Sequence, residues 1–297
     1  MKKIAVVTDS HSSINPAQAE MMGVYVLPMP FDIDGQEYFE GVNITRQQFF
    51  GYQRAGATIG TSQPAPAAVM ELWDKLLTEY ESILYMPLSS GLSSSCQTAI
   101  AYAEEEPYAG RVFVVDNGRI ATPLHRSILD AQELIEKGLS AAECKATLEA
   151  AKSDMVIYLA VETLEYLKRG GRISSTAAAV GTLLNIKPIL HLATGKLESY
   201  KKARGMNKAC ETMLESIRND LTTRFAEAHA RGDVFLLAAG SADDATTAKW
   251  LKQIETVFPG MPVLYDDLSM GVSCHTGEGA LGIGLSVRPS RQNAAAF

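Results

Sequence analysis

Ile83-Leu84-Tyr85-Met86-Pro87-Leu88-Ser89-Ser90-Gly91-Leu92-Ser93-Ser94-Ser95-Cys96 passes from one kind of structure into another. Ile83 to Met86 is a short apolar run with the length and residue types of a buried strand. Ser89 to Ser95 places five serines in seven residues, a loop composition, and Cys96 to Glu106 has helical spacing. The same strand, loop and helix order repeats on either side. Upstream, Ile4–Thr8 is a strand leading through Asp9-Ser10 to a helix start at Asn15-Pro16. Val24–Leu27 is a further strand, Pro28 and Pro30 impose an irregular segment, and Pro66–Tyr80 is a helix. Downstream, the strand Arg111–Val115 ends in Asp116, and helices follow at Ile128–Lys137 and Ala141–Lys152. Strands that alternate with helices pair in parallel and build a layered α/β domain. Ligands of such sheets lie beyond the carboxyl ends of the strands, where Asp9, Ser89-Ser90 and Asp116 fall.

A second α/β unit starts near Met155–Val161. Helices are expected at Glu162–Lys168, Ser175–Leu184, Asn207–Ala230 and Asp243–Phe258. Strands are expected at Lys187–Leu192, Leu197–Lys201, Val234–Ala238, Val263–Tyr265 and Ala280–Val287. The fold class is therefore α/β in two domains. Residues 1–155 form an N-terminal domain around a parallel sheet, residues 156–288 a C-terminal domain around a mixed sheet, and residues 289–297 a frayed tail. No internal repeat or low-complexity segment interrupts this order.

The 297 residues, 46% of them hydrophobic, suffice for sizeable cores in both domains. A net charge of −7 argues against general nucleic-acid binding. That average conceals a basic stretch. Tyr166 to Lys208 holds nine Lys and Arg and one acid, Glu198, a local +8 that leaves −15 on the remainder. The four cysteines stand far apart with no C-x-x-C pair, so reduced thiols in a bacterial-type cytoplasm are the expectation. The apolar run after Lys2-Lys3 is too short for a signal peptide, and no stretch approaches the roughly 20 residues of a membrane span.

Two hydroxyl-rich loops carry the chemistry: Thr61-Ser62-Gln63-Pro64 and Ser89–Ser95. Each is placed at the start of a helix, where backbone N–H groups and the helix dipole favour negative charge. Serine and threonine are also ordinary helix caps, so Ser62 and Ser93 have a purely structural reading. Five serines in one loop exceed what capping needs, which points to a small anionic group such as a carboxylate or phosphate. Gly277-Glu278-Gly279-Ala280-Leu281-Gly282 has the letters of a dinucleotide fingerprint but runs into a strand near the chain end and is rejected. Gly91-Leu92-Ser93 resembles a nucleophile elbow without its last glycine, which leaves a serine-dependent acyl hydrolase using Ser93 and His275 as an alternative. The five histidines show no metal spacing. His275 alone is placed towards a ligand, in a glycine-rich loop expected between two strands.

Taken in order, these segments resemble a known family. Thr8-Asp9-Ser10, Thr61–Pro64, Leu88–Ser93, Val114-Val115-Asp116, Glu162–Ser174, Ile186–Ile189, the Arg204 segment and His275-x-Gly277-x-Gly279-Ala280 are similar to the DegV family along nearly the whole chain. The resemblance implies a two-domain α/β protein that holds one long-chain fatty acid between its domains. It also implies a binding protein rather than an enzyme, with neither metal nor cofactor, that presents the acyl carboxylate to a separate fatty-acid kinase. Thr61 and Ser93 then hydrogen-bond the carboxylate, with Ser62, Ser94, His275 and Arg172 at the same head-group site. Lys201, Lys202 and Arg204 are assigned to docking on the kinase or on an anionic membrane surface. The chain departs from the family pattern at Ser94-Ser95 (Gly-Thr), at Asn117 (Ser) and at Glu278 (Pro).

Overall fold

The computed structural model describes residues 2–173, 185–192 and 197–290. The chain divides into two compact units. The first holds residues up to Lys152 together with Ser269–Gly271, and the second holds Ser153–Leu268 and Val272–Arg288. The expected helix at 175–184 and residues 291–297 of the tail lie outside the described residues.

The first unit contains, in chain order, β1 (Lys2–Asp9), α1 (Pro16–Met22), β2 (Tyr25–Leu27), β3 (Pro30–Ile33), β4 (Gln36–Phe39), α2 (Arg46–Arg54) and β5 (Ile59–Thr61). It continues with α3 (Pro66–Leu77), β6 (Tyr80–Met86), α4 (Ser95–Ala103), β7 (Val112–Val114), α5 (Ala121–Glu136) and α6 (Ala141–Ala150). Four strands form a wholly parallel sheet in the order β2-β1-β6-β7. Successive residues of each strand serve opposite faces. Val7, Ile83 and Tyr85 pack with Val69, Trp73 and Leu76 of α3 and Cys96 of α4. Val6, Leu84 and Met86 pack with Leu124 and Ile128 of α5 and Leu148 of α6. Burial on both faces is why these strands read as continuous apolar runs.

The segment after Pro28 is not irregular. It forms a three-stranded antiparallel sheet, β4-β3-β5, with Pro30 at the first position of a strand, where proline is tolerated. Asp34 and Gly35 have φ of 51° and 85°, the positive values that a tight Asp-Gly hairpin requires. Helix α2 follows with a reciprocal capping box between Thr45 and Gln48. Helix α5 begins seven residues before the expected Ile128, because Pro123 falls within its first turn, where a missing N–H costs nothing. Ser269–Gly271 returns to this unit, where the Met270 N–H donates to Glu40 Oε2 at 2.9 Å.

The second unit contains β8 (Met155–Ala160), α7 (Glu165–Arg169), β9 (Ile186–Leu192), β10 (Leu197–Arg204), α8 (Met206–Thr222), α9 (Ala226–Ala230), β11 (Val234–Gly240), α10 (Asp244–Val257), β12 (Val263–Asp267), α11 (Met270–Thr276) and β13 (Leu281–Val287). Its sheet has the order β10-β9-β8-β13-β11-β12, parallel only between β11 and β12. Met213 and Ile217 of α8 and Trp250 and Ile254 of α10 cover the face presented by Val156, Leu236 and Ile283. The single helix expected from Asn207 to Ala230 is broken. Thr222 and Thr223 turn their hydroxyls back onto the carbonyls of Arg218 and Asn219, competing with the backbone ladder at that point.

Candidate functional site

The serine loop is fixed from below before its own hydroxyls are considered. Asp9, fully buried at the end of β1, accepts the Leu88 N–H at 2.8 Å and the His11 N–H at 2.9 Å. Ser89 N–H donates to the Arg119 carbonyl at 2.8 Å. Ser90 donates through its hydroxyl (2.6 Å) and its N–H (3.3 Å) to Asp116, whose carboxylate also receives Lys152 Nζ at 2.8 Å. Burial opposes ionisation of Asp116, but the Lys152 and Ser90 hydrogen bonds outweigh it and hold the carboxyl below its usual range. Lys152 reaches it by passing over Gly118. A Cβ at Gly118 would lie 2.8 Å from Lys152 Cε, and φ is +68° there, so glycine is required twice over.

The loop then turns on itself. Gly91 N–H donates to Ser89 Oγ, and the N–H groups of Leu92 and Ser93 donate to the Ser89 carbonyl at 3.0 and 3.1 Å. Its amides from Ser89 to Ser93 are thereby committed to protein acceptors, and the chemistry on offer is that of the hydroxyls. Ser93 Oγ accepts the Ser95 N–H at 3.2 Å and lies 3.0 Å from Ser95 Oγ. That bond helps to start α4, whose N-cap residue Ser94 (φ −76°, ψ −4°) makes no side-chain cap.

Thr61 stands at the end of β5, opposite Phe31, rather than at a helix start. Helix α3 begins at Pro66 behind Ala65 with no side-chain cap, so Ser62 does not serve as one. The two hydroxyl segments are nevertheless neighbours. Gln63 Nε2 donates to Ser94 Oγ at 2.7 Å, and Thr98 Oγ1 of α4 donates to Gln63 Oε1 at 2.9 Å.

In the second unit, His275 lies in the last turn of helix α11, not in a loop, and Gly277 (φ +76°) ends that helix. The half-buried imidazole packs against the turn after α7. A Cβ on Gly170 would fall 2.1 Å from His275 Nδ1. Arg172 Nη1 donates to the Gly170 carbonyl at 2.5 Å, so Arg172 and His275 brace the same turn. The contact continues along both segments. A Cβ on Gly277 would meet Tyr166 at 2.6 Å, one on Gly279 would meet Glu162 at 2.9 Å, and Glu162 is ion-paired with Lys187.

Residues 3–288 match the family described as "Uncharacterised protein, DegV family". The chain belongs to the DegV family. A DegV domain-containing protein of Deinococcus radiodurans is 32% identical over 285 residues, covering 95% of this chain and 98% of that protein. Among solved structures, a fatty-acid-binding DegV family protein from Thermus thermophilus superposes with a TM-score of 0.83 at 35% identity, covering 96% of this chain and 99% of the other. DegV of Bacillus subtilis, described as a fatty acid binding protein, gives a TM-score of 0.82 at 26% identity, covering 97% and 100%.

Of the DegV positions singled out in the sequence, Thr61, Ser62, Ser93 and Ser94 share the first unit, and the last two are joined to the first two through Gln63. His275 and Arg172 meet in the second unit, where Glu278 is half-buried between Gly277 and Gly279. Lys201, Lys202 and Arg204 are exposed on the edge strand β10, with Lys201 Nζ 4.8 Å above the Tyr200 ring. Sequence reading assigned no role to Gln63, Thr98 or Lys152, and it named Asp116 and Ser95 without their partners. Gln63 stands one residue from Ser62 and Thr98 one helical turn past Ser94, positions that carry no chemical signal by themselves. Burial pushes the Cys96 thiol up to about 12 and those of Cys144 and Cys210 to about 11, which leaves them unreactive as nucleophiles. Among the described residues no group of three or more His, Cys, Asp and Glu could hold a metal ion, and no helix is long and apolar enough to cross a membrane.

Proposed function

We propose that this DegV chain binds one long-chain fatty acid, holding its carboxylate with the hydroxyls of Thr61 and Ser93, and presents it to a separate fatty-acid kinase. The observation that carries the reading is the pair of hydroxyl segments drawn together in the first unit through Gln63, supported by fatty-acid binding in the Thermus relative at 35% identity. Ser93 suits the task. Its oxygen is already steadied by the Ser95 N–H, so its proton can swing from Ser95 Oγ to an arriving carboxylate without the loop moving. Hydrogen bonds to a charged group are the stronger kind. Ser62, Ser94, His275 and Arg172 are further contributors to the head-group site.

The hydrocarbon supplies most of the affinity. About 15 methylenes at roughly 0.8 kcal/mol each give about 12 kcal/mol gross before ordering costs. The head-group hydroxyls set orientation, and a kinase would bring the phosphoryl group and its metal. The exposed cations Lys201, Lys202 and Arg204 on an edge strand supply a docking face for that kinase or for an anionic membrane during loading. A cytoplasmic setting suits a chain in which no disulfide joins the four cysteines.

Mass spectrometry of the purified, denatured protein tests the reading. Released free fatty acid supports a carrier, and its conversion to an acyl phosphate on adding a fatty-acid kinase and ATP supports presentation. An acyl adduct on Ser93 would replace the carrier with a serine-dependent hydrolase.

A further inference from the structure

Gln63 makes two side-chain contacts with the first turn of α4. Its Nε2 donates to Ser94 Oγ at 2.7 Å, and its Oε1 accepts from Thr98 Oγ1 at 2.9 Å. Thr98 Oγ1 lies 3.1 Å from the Ser94 carbonyl as well, so one hydroxyl proton is shared between the Gln63 amide and the backbone of Ser94. The three residues form a closed ring. One member is two positions past Thr61, and another immediately follows Ser93.

The strand and helix around this ring are separately anchored. Thr61 pairs with Phe31 in the small sheet, and Ser90 is tied to Asp116 at the opposite end of the serine loop. The Gln63 amide thus ties the stretch that carries Thr61 to the start of α4, next to Ser93. Ser94 is committed by the same ring. Its oxygen already accepts from Gln63, which makes it a partner of the clasp before it is a partner of any ligand.

We infer that Gln63 is a positioning residue that, through Ser94 and Thr98, sets the separation of the two hydroxyls gripping the carboxylate and so slows release of the bound fatty acid. The inference rests on the fatty-acid reading above. It assigns Gln63 and Thr98 no contact with the ligand.

The probe is palmitic acid labelled with ¹³C at C1, read by the NMR line of the bound carboxyl and by stopped-flow release. Gln63→Ala and Thr98→Val should each broaden or move the carboxyl line and speed release roughly two- to tenfold, the worth of a neutral hydrogen bond. The double variant should release no faster than the faster-releasing single, because both remove one ring. Thr98→Ser, which keeps the hydroxyl, should restore both the line and the rate, a rescue that general loosening of α4 would not give. A carboxyl line and release rate unchanged in Gln63→Ala, or single effects that add, would overturn the clasp while leaving fatty-acid binding in place. A native protein that shows no bound carboxyl line at all would overturn the fatty-acid reading and the clasp with it.

Discussion

Gly170→Ala separates backbone from side-chain demands at the turn that holds His275. Gly170 has φ −75° and ψ −11°, right-handed helical angles that alanine adopts without strain. Judged on backbone alone, the substitution should stabilise by about 0.4–1 kcal/mol, because the unfolded chain loses freedom. The space beyond Gly170 opposes it. The new methyl would lie 2.1 Å from His275 Nδ1 and 2.6 Å from Cε1, whereas ordinary contact begins at 3.4 Å. Moving from 2.1 to 3.4 Å requires the ring or the turn to yield by about 1.3 Å. Overpacking of this kind costs about 1–3 kcal/mol. Set against the backbone gain, the net runs from about zero to a loss of about 2.6 kcal/mol. In a His275→Ala background the obstacle is gone, and the same substitution should become neutral or mildly stabilising. Urea denaturation of the four variants in a double-mutant cycle reads the coupling directly, and palmitate affinity measured alongside should fall in Gly170→Ala as His275 is displaced. If Gly170→Ala destabilised equally with and without His275, the imidazole would not be what requires glycine at 170.

The remaining predictions concern the first unit and the cationic strand. Ser93→Ala should weaken palmitate binding by about 1.5–3 kcal/mol, measured by calorimetry, and full affinity in that variant would remove Ser93 from the head-group site. Asp116 has a folded pKa below its unfolded value, so the stability it contributes is present above about pH 4 and is lost as pH falls through the folded value. Lys152→Met removes the largest support for that depression, so urea midpoints taken from pH 6 down to pH 3 should show lower stability near neutrality and a flatter acid limb; an unchanged acid limb would refute the assignment. Reversing the charges of Lys201, Lys202 and Arg204 together should leave bound palmitate in place but abolish acyl phosphate formation by an added fatty-acid kinase or exchange with anionic vesicles, and loss of neither would clear β10 of the proposed docking role.

The α/β class and the strands of both sheets were legible because burial on both faces leaves continuous apolar runs such as Ile83–Met86 and Met155–Ala160. The small antiparallel sheet was not read, although Asp34-Gly35 between two short runs is a hairpin signal and Thr45-x-x-Gln48 is a capping box. Pro28 and Pro30 drew attention away from both. The single helix read from Asn207 to Ala230 failed at Thr222-Thr223, because hydroxyls that compete for backbone carbonyls leave no trace in hydrophobic periodicity. At the site, residue type was legible and connection was not. Thr61 and Ser93 stand out in the sequence as hydroxyls in loops. That the loop amides are taken up by Arg119, Asp116 and Ser89 follows from its turn and its neighbours, and that Gln63 bridges the two segments follows from how they pack.

The second unit explains why two distant stretches of sequence carry the family signature. Glu162, Tyr166 and Gly170 recur every four residues and present one face, and His275, Gly277 and Gly279 alternate along the opposing segment. Each large side chain fills the space that a glycine leaves: Glu162 over Gly279, Tyr166 over Gly277, His275 over Gly170. The three glycines are not equivalent. Gly277 and Gly279 also have φ of +76° and +81°, so any side chain there meets both backbone strain and a steric clash, whereas Gly170 faces the clash alone. A change on one segment therefore requires an answering change on the other only at Gly170, where removing the imidazole restores tolerance. Arg172 enters the same interlock by binding the Gly170 carbonyl. Its effect on the orientation of His275 follows from that bond, whether or not its charge reaches the ligand.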